Sequence, residues 1–469
     1  MGAGGMDRDG IVARVEALRA GNDARRLSFG RAERRAALER LAAAVKAEEA
    51  AILAALREDF GKPDPETVLT EILPVLQEIG HARRHLRAWM APRRVGGSLT
   101  TLGTSARIVP QARGTCLIIA PWNYPFLLAI GPLVSALAAG NAAVIKPSEM
   151  TPATSALIAR LVANAFPPDL VTVIEGGREV AEVLLDQPFD HVFFTGSPAV
   201  GRIVMAAAAK HLASVTLELG GKSPCIVGPG ADLDRAAAWI AFGKFANAGQ
   251  TCIAPDHLFV HETVKDAFLA KLRARISRAY GAGASSPHLA RIVNDGHAAR
   301  LAGLVRDAVA KGARVVLDGG QDGRAMGPTL LEAVTPEMEI DREEIFGPVL
   351  PVMTYRDAAE VIARINARPK PLALYVFDRD RARVDRVVGA TTSGSVGVNL
   401  TVVQFSHAGL PFGGVGNSGL GAAHGEHGFR AFSHERAVLA NRFSALPAVF
   451  PPYTAGVKRM IGLARRMLG

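Results

Sequence analysis

The sequence predicts an α/β protein with a Rossmann-like parallel-sheet domain, a second α/β domain and a small oligomerisation element. First, 469 residues with 49% hydrophobic side chains suffice for several domains and a large core. Second, short β-branched runs alternate with helical stretches in the first half of the chain. Third, another such alternation follows residue 219.

The first alternation predicts a parallel sheet that is preceded by helices over 31–59 and 65–92. Its strands are expected at 115–120, 142–146, 171–175, 190–194 and 215–219, and its helices near 126–139, 151–165, 178–186 and 198–210. Right-handed crossovers place helices on both faces of such a sheet. Ligands bind beyond the carboxyl ends of its strands, where Asn123, Lys146, Gly176 and Gly196 lie.

Residues 126–145 are twenty residues without a charge, which is long enough to raise the question of a membrane span. Gly131-Pro132 and Gly140-Asn141 interrupt the run. It therefore predicts a buried helix, a turn and a strand, so no integral membrane segment is expected.

The second alternation predicts another α/β unit, followed by a Gly-rich and irregular stretch from 392 to 432. Its helices are expected near 232–246, 262–280, 295–310, 357–368 and 380–389, and its strands near 256–261, 314–318, 349–354 and 371–377. The tail over 456–469 has the pattern of a basic amphipathic helix. Such a helix docks on its own domain or on a partner subunit, or contacts an anionic membrane peripherally.

The net charge of +10 raises the question of nucleic-acid binding. The arginine pairs are scattered and aromatics make up only 6% of the chain, so we expect no nucleic-acid partner. Three cysteines and no visible signal peptide indicate a reducing compartment, the cytoplasm. Cys116 and Cys225 lie in apolar runs, which leaves Cys252 as the cysteine with chemistry.

One glycine-containing turn is a candidate phosphate site. Gly196, Ser197 and Gly201 follow a predicted strand and open a helix, whose N-terminus offers N–H groups to a pyrophosphate. A plain helix cap explains the same residues equally well. Two other glycine motifs, at 414–419 and 221–223, lack the strand or helix that a nucleotide-binding loop requires.

Cys252 lies in the segment Phe245-Ala-Asn-Ala-Gly-Gln-Thr-Cys252-Ile-Ala-Pro-Asp256. A thiol reacts as the thiolate, and a nearby carboxylate such as Glu218 can activate water against an acylated sulfur. Taken alone, Cys252 fits a core thiol, Glu218 an exposed strand position and Asn123 a turn residue.

Together with Glu218 and Pro121-Trp122-Asn123-Tyr124-Pro125, this segment resembles the aldehyde dehydrogenase superfamily over roughly residues 30–450. The stretch Cys252-Ile-Ala-Pro-Asp256 is similar to its class 3 branch. The resemblance implies the aldehyde dehydrogenase fold, with Cys252 as nucleophile, Glu218 as base and Asn123 as oxyanion donor.

The resemblance also implies a cofactor site for NAD, with NADP also accepted. The residues that it assigns to this site are Trp122, Lys146, Glu149, Gly176, Gly177, Gly196, Ser197, Gly201, Glu344 and Phe346. No metal site is expected. Ser197-Pro198 stands where class 3 members often have Asn-Thr, which leaves the pyrophosphate contacts open.

The expected domains are residues 1–219 with the N-terminal helices and the NAD(P)-binding domain, 220–400 with the nucleophilic cysteine, and 401–469 as return segment, oligomerisation element and tail. Residues 97–114 are also expected to contribute to oligomerisation, and the chain to form a homodimer. The expected reaction oxidises an aromatic aldehyde of the coniferyl type, or a medium- to long-chain aliphatic aldehyde, to its acid. Phe450-Pro-Pro-Tyr453 resembles the bacterial coniferyl aldehyde dehydrogenases.

Two other classes of function remain open from the residues. A non-redox cysteine acyl-transferase or thioesterase would use the same Cys252 and Glu218 pair. A binding protein on an inactive scaffold would be expected to have lost one of Cys252, Glu218 and Asn123, and all three are present.

Overall fold

The computed structural model describes residues 6–281 and 283–468. Its N-terminal part is helical: α1 (Arg8–Ala20), α2 (Asn22–Ser28), α3 (Arg31–Ala47), α4 (Glu49–Phe60), α5 (Asp64–Thr67) and α6 (Leu73–Met90). The single helix predicted over 31–59 is therefore wrong in one respect, because the chain breaks at Glu48. A π-helical turn at Val68–Ile72 interrupts the helix predicted over 65–92.

Strands and helices then alternate as the sequence predicts. The elements are β1 (Arg93–Val95), β2 (Thr104–Ala112), β3 (Thr115–Ile119), α7 (Pro125–Ala139), β4 (Ala142–Lys146), α8 (Pro152–Ala165), β5 (Val171–Val173), α9 (Arg178–Leu185), β6 (His191–Thr195), α10 (Pro198–Ala209) and β7 (Ser214–Glu218). Strands β3 to β7 form a parallel sheet in the order β7-β6-β3-β4-β5. The five predicted strands are confirmed.

The next unit is a second α/β layer. It contains β8 (Pro224–Val227), α11 (Leu233–Phe245), β9 (His257–His261), α12 (Lys265–Tyr280), α13 (Asp295–Ala310), β10 (Arg314–Leu317), β11 (Gln321–Asp322), β12 (Ala325–Met326), β13 (Thr329–Glu332), α14 (Glu339–Arg342), β14 (Val349–Tyr355), α15 (Ala358–Asn366), β15 (Ala373–Phe377), α16 (Arg381–Ala390) and β16 (Ser395–Val398).

Its sheet has the order β10-β13-β14-β9-β8-β15-β16 and is parallel except at β10. The sequence prediction missed β8, β13 and β16, which have four residues each. Runs this short carry little periodicity, so their strand character depends on pairing with neighbours from elsewhere in the chain.

The C-terminal part returns to the first sheet and ends in a helix. It contains β17 (Gly419–Leu420), α17 (Gly425–Ala431), β18 (Ser433–Asn441) and α18 (Ala455–Leu468). The prediction of an irregular stretch over 392–432 is wrong, since β16, β17 and α17 lie there. Strand β17 pairs with β7, and β18 pairs with β2 in the three-stranded antiparallel sheet β1-β2-β18.

The uncharged run over 126–145 folds as predicted, into helix α7 and strand β4 with a turn between them. Thirteen of the fifteen residues of α7 are buried, and fully buried leucine or isoleucine side chains contribute ~1.5–3 kcal/mol each. In the described part of the chain, no helix combines the length and apolarity that crossing a membrane requires. The tail helix α18 exposes Met460, Ile461 and Leu463.

Four strands of the first sheet end at one edge, at Ile119, Lys146, Thr195 and Glu218. The registers place Ile119 beside Lys146 and beside Phe194, and Thr195 beside Glu218. The loops that follow these strands therefore start from a common edge, where the candidate site lies.

Candidate active site

Cys252 lies on the segment that connects α11 to β9. Asn247, Ala248 and Gly249 precede it with left-handed φ angles of 53°, 51° and 74°. A side chain at Gly249 would place its Cβ 2.3 Å from the carbonyl oxygen of Gly347, so this turn needs glycine. The turn delivers Cys252 to the wall of an internal cavity.

Hydrogen bonds tie the loop after β3 to the cysteine segment. The side-chain amide of Asn123 donates to the carbonyl oxygen of Gln250 at 3.0 Å, and the amide of Asn247 donates to the carbonyl oxygen of Asn123 at 2.7 Å. The hydroxyl groups of Tyr124 and Thr251 are 2.7 Å apart. The structure thus brings Asn123 to the residues immediately before Cys252.

Glu218 is the last residue of β7 and is buried, with 5% of its surface exposed. The alternative of an exposed strand position is therefore wrong. Neither of its carboxylate oxygens has a hydrogen-bond partner among the described residues. Burial raises the pKa of Glu218 well above its ordinary value, because no neighbouring cation compensates the charged form.

Cys252 and Glu218 line the same cavity, which has a volume of about 390 Å³. Its walls are mainly apolar and include Leu127, Leu128, Trp239, Phe242, Phe405 and Phe412. A cavity of this kind fits a small molecule with a large apolar part. The two residues that the sequence predicts to react therefore share one apolar chamber.

The thiol of Cys252 is held in its neutral form. Burial raises its pKa to about 12, the charges of Glu344 and Glu218 act in the same direction, and the backbone N–H groups of Cys252 and Ile253 oppose them. A thiol with this pKa is a weak nucleophile at neutral pH. Reaction therefore requires the proton to leave at the moment of attack or a change in the surrounding charges.

The carboxylate of Glu344 packs directly against Gly220. A Cβ at position 220 would lie 2.3 Å from Oε2 of Glu344. Burial raises the pKa of Glu344 to about 7, although the N–H of Gly221 bonds its carboxylate. Phe346 packs edge-on against Trp122 with ring centroids 5.3 Å apart. Glu344 is also close enough to Cys252 to raise the pKa of the thiol, while Trp122 and Phe346 pack against each other.

The sequence prediction missed four residues that stabilise the segments around Trp122 and Ile345. His297 contacts the ring of Trp122 at 5.0 Å, and Arg300 donates to the carbonyl oxygen of Ile345 at 2.6 Å. Asp256 accepts from the N–H of Ile345 at 2.9 Å and is paired with Lys222. The available signal for the last two was their place in segments that the sequence analysis had singled out, Lys222 in the glycine motif at 221–223 and Asp256 at the end of Cys252-Ile-Ala-Pro-Asp256.

The remaining predicted cofactor residues follow strands of the first sheet. Lys146 ends β4 and forms a 2.6 Å ion pair with Glu149, whose side chain is 45% exposed. Ser197 accepts from the N–H of Val200 at 3.4 Å and caps α10, as the helix-cap prediction states.

Glycines at this edge allow close packing. A Cβ at Gly176 would lie 2.3 Å from Val180, and one at Gly201 would lie 2.8 Å from Leu219. Gly177 is the N-cap of α9, and Gly196 follows β6 directly. All these residues follow strands of the first sheet at the edge where Glu218 lies, but Gly176 and Gly177 follow the outermost strand β5 and Glu149 follows its neighbour β4.

Comparison with known proteins gives one consistent result. The model of the aldehyde dehydrogenase family matches residues 11–438. The Bacillus subtilis protein AldX is 47% identical over 412 residues, which cover 87% of this chain and 92% of AldX. A Pseudomonas aeruginosa protein named as a coniferyl aldehyde dehydrogenase is 42% identical, with 88% of each chain covered. Aldehyde dehydrogenase family 3 member A2 of Macaca fascicularis is 43% identical, with 86% of this chain and 82% of that protein covered.

Solved structures agree with these relatives. The substrate-bound structure of AldH from Staphylococcus aureus has a TM-score of 0.91 and 41% identity, covering 96% of this chain and 98% of that one. The NAD-dependent aldehyde dehydrogenase of Sinorhizobium meliloti has a TM-score of 0.86 and 31% identity, covering 96% and 89%. An Escherichia coli enzyme described as NADP-dependent has a TM-score of 0.86 and 30% identity, covering 92% and 90%.

Proposed function

This chain belongs to the aldehyde dehydrogenase family, and we propose from that membership that it oxidises an apolar aldehyde to the carboxylic acid through Cys252. The observation that carries the proposal is the shared chamber of Cys252 and Glu218, with Asn123 bonded to the cysteine segment. The family and the α/β fold predicted from the sequence are confirmed by the comparisons.

A nicotinamide dinucleotide is the proposed cofactor, and when bound it accepts the hydride. The residues at the sheet edge fit such a group. The Oγ1 of Thr195 is buried without a partner among the described residues, and the first turn of α10 begins two residues later. Lys146 and Glu149 would hold an adenosine ribose, and Trp122, Glu344 and Phe346 would surround the nicotinamide end.

The proposed reaction begins at the sulfur of Cys252, which adds to the carbonyl carbon as the thiol proton leaves. The oxyanion of the tetrahedral adduct would accept from the backbone N–H of Cys252 and from the side-chain amide of Asn123. That amide has two N–H groups and uses one for Gln250 in the present structure, so one remains for the oxyanion.

Loss of hydride from the adduct leaves a thioester on Cys252. Glu218 would then take a proton from a water molecule that attacks the thioester carbonyl, which releases the acid and restores the sulfur. Its two oxygens have no partner among the described residues, so both can accept from water. The raised pKa of Glu218 makes its carboxylate a stronger base than an ordinary glutamate, because a group with a higher pKa binds a proton more readily.

The proposed substrates are aromatic aldehydes of the coniferyl type or medium-chain aliphatic aldehydes. The apolar walls of the cavity support this choice, since each buried methylene contributes ~0.8 kcal/mol of binding free energy. The relative named as a coniferyl aldehyde dehydrogenase supports the aromatic group.

We also propose that the chain forms a homodimer through the β1-β2-β18 sheet. All nine residues of β18 pair with β2, and most of them are exposed. An open, three-stranded sheet of this kind offers its edge strands to a second copy.

The test is the formation of NADH on mixing the purified protein with NAD⁺ and a panel from acetaldehyde through decanal, benzaldehyde and coniferyl aldehyde. We expect kcat/KM to rise with apolar size until the cavity is full. Hydrolysis of an aryl thioester without aldehyde oxidation would instead support the acyl-transferase alternative. A kcat/KM that peaks at acetaldehyde would contradict the proposed substrate class.

A further inference from the structure

The apolar chamber has one polar wall that the proposed chemistry does not use. Glu78 on α6 and His424 before α17 both line the cavity that holds Cys252 and Glu218. The N–H of Gly425, the residue after His424, donates to Oε1 of Glu78 at 2.7 Å, which ties the chain at His424 to Glu78. Most of the other lining residues are apolar.

His424 has an unusual environment for a histidine. Its ring packs edge-on against Phe405 at 4.4 Å and Phe412 at 5.3 Å, and neither ring nitrogen has a hydrogen-bond partner among the described residues. Burial lowers the pKa of His424 to about 4, so the ring is neutral at pH 7. A neutral imidazole offers one N–H donor and one nitrogen acceptor, and here neither is used by a described residue.

The backbone of His424 is also strained. Its φ of 70° with a ψ of 140° belongs to a region that glycine occupies freely and other residues rarely adopt. A glycine would avoid this cost. The presence of histidine at a strained position beside a reactive cavity indicates that its side chain has a use.

Glu78 adds a second unoccupied acceptor. Only its Oε1 has a partner among the described residues, although the side chain is buried and lines the cavity. Glu78 is on α6 and His424 precedes α17, whereas Glu218 ends β7 and Cys252 precedes β9. The polar wall therefore comes from other elements of the fold than the reacting side chains.

We propose that Glu78 and His424 form a specificity site that selects aldehydes with a hydroxyl group remote from the carbonyl, such as a phenolic hydroxyl. This inference rests on the proposed function, because it takes Cys252 as the point where the carbonyl binds. A hydroxyl can donate to the imidazole nitrogen or to Glu78 and can accept from the imidazole N–H. A carboxylate or phosphate in the same place would be repelled by Glu78.

The experiment compares two aldehydes that differ by one hydroxyl, 4-hydroxycinnamaldehyde and cinnamaldehyde. We expect the native enzyme to favour the hydroxylated aldehyde in kcat/KM by about 10- to 100-fold, since a buried polar site disfavours a ligand that leaves it unpaired. His424→Gly should fold, because it relieves the strained φ, and should bring the ratio to within about 3-fold of one.

Three further variants separate recognition from packing. Phe405→Leu changes an apolar neighbour of His424 and should alter both substrates alike, which leaves the ratio near its native value. His424→Gln keeps a donor and an acceptor and should retain part of the preference. Glu78→Gln keeps the oxygen that accepts from Gly425 and should lower the ratio less than His424→Gly does.

A binding measurement tests the site without turnover. In Cys252→Ala, 4-hydroxycinnamate should bind more tightly than cinnamate by calorimetry, and His424→Gly in that background should remove the difference. A native ratio near one, or a ratio that His424→Gly leaves unchanged, overturns the inference while aldehyde oxidation itself stands. If neither aldehyde yields NADH, the proposed function fails and this inference with it.

Discussion

The ammonium group of Lys62 lies 2.8 Å from Oε1 of Glu71, and both side chains are completely buried. The second oxygen of Glu71 accepts from the N–H of Leu127 in the first turn of α7 at 2.9 Å. The same ammonium lies 4.0 Å from the ring centroid of Tyr124, whose hydroxyl bonds Thr251. A buried ion pair from the N-terminal helices therefore supports both loops of the candidate active site.

Lys62→Met is expected to destabilise the protein by about 3–5 kcal/mol, because it leaves Glu71 buried without its cation. Burial already raises the pKa of Glu71 and only Lys62 and nearby N–H donors oppose that effect. The double variant Lys62→Met/Glu71→Gln should recover part of the loss. Urea unfolding measures both changes. The matched control is Arg57→Ala, which removes the exposed pair with Asp64 and should change the free energy of unfolding much less.

Cys252→Ala is expected to abolish aldehyde oxidation while the fold and cofactor binding persist. The thiol of Cys252 is the proposed nucleophile, whereas the other two cysteines, Cys116 and Cys225, are fully buried. Cys116→Ala and Cys225→Ala serve as controls and should keep their activity. NADH formation at 340 nm measures the first effect and cofactor fluorescence titration the second. Comparable oxidation by Cys252→Ala would rule out the thiol mechanism.

Glu218→Gln is expected to slow hydrolysis of the thioester more than its formation. One equivalent of NADH should then form rapidly, followed by turnover slowed about 10²- to 10⁴-fold, the usual contribution of a general base. Stopped-flow absorbance on mixing enzyme, NAD⁺ and aldehyde resolves the two phases. Loss of the rapid phase together with turnover would assign Glu218 to activation of Cys252 instead.

The same Glu218→Gln variant is expected to be more stable than the native protein at neutral pH. The pKa of Glu218 is higher in the folded than in the unfolded protein. As the pH rises above about 4.5, Glu218 therefore ionises in the unfolded state first, and this lowers the free energy of unfolding of the native protein. Because the glutamine cannot ionise, the variant should unfold at a higher temperature than the native protein at pH 7.5, with little difference at pH 4.5. Thermal unfolding at the two pH values measures this difference. Glu58→Gln, at an exposed glutamate, should change little at either pH. A gain of the same size at both pH values would show that the effect does not come from ionisation.

Glu149 is expected to favour NAD over NADP. Its half-exposed carboxylate lies beside Lys146 past the end of β4, where it would accept from ribose hydroxyls and repel a 2′-phosphate. Glu149→Gln should therefore raise kcat/KM for NADP relative to NAD by about 10-fold, which corresponds to ~1.4 kcal/mol of removed repulsion. Paired kinetics with both cofactors measure the ratio, with Glu182→Gln on the exposed face of α9 as control. A native preference for NADP would contradict the role given to Glu149.

Local sequence predicted the first sheet well because its strands are continuous apolar runs separated by helices of ordinary length. The segment over 115–119 is buried at every residue, and such a run is a strong local signal. Strands β8 and β16 were missed, whereas β10, which also has four residues, was predicted, so a run this short is a weak local signal. Their partners β9 and β15 lie elsewhere in the chain, and pairing with them determines the strand.

In the candidate site, the sequence motifs predicted the reactive residues but not the groups that surround them. The residues around Cys252, Glu218 and Asn123 were predicted from short segments that carry their own pattern, and the fold places them at one sheet edge. Their roles in the reaction stay predictions. No local pattern indicates that Glu218 is buried without a hydrogen-bond partner among the described residues, because burial depends on which distant elements pack over β7.

The sequence by itself determined the family, the α/β class and the segments that carry the reactive side chains, because these depend on local periodicity and on long contiguous motifs. The tertiary structure alone decided that Lys62 supports Tyr124, that His424 and Glu78 form a polar wall, and that the pKa of the Cys252 thiol is raised. Each of these depends on groups brought together from distant parts of the chain. Burial and charge act through space, so only the folded chain fixes which groups meet.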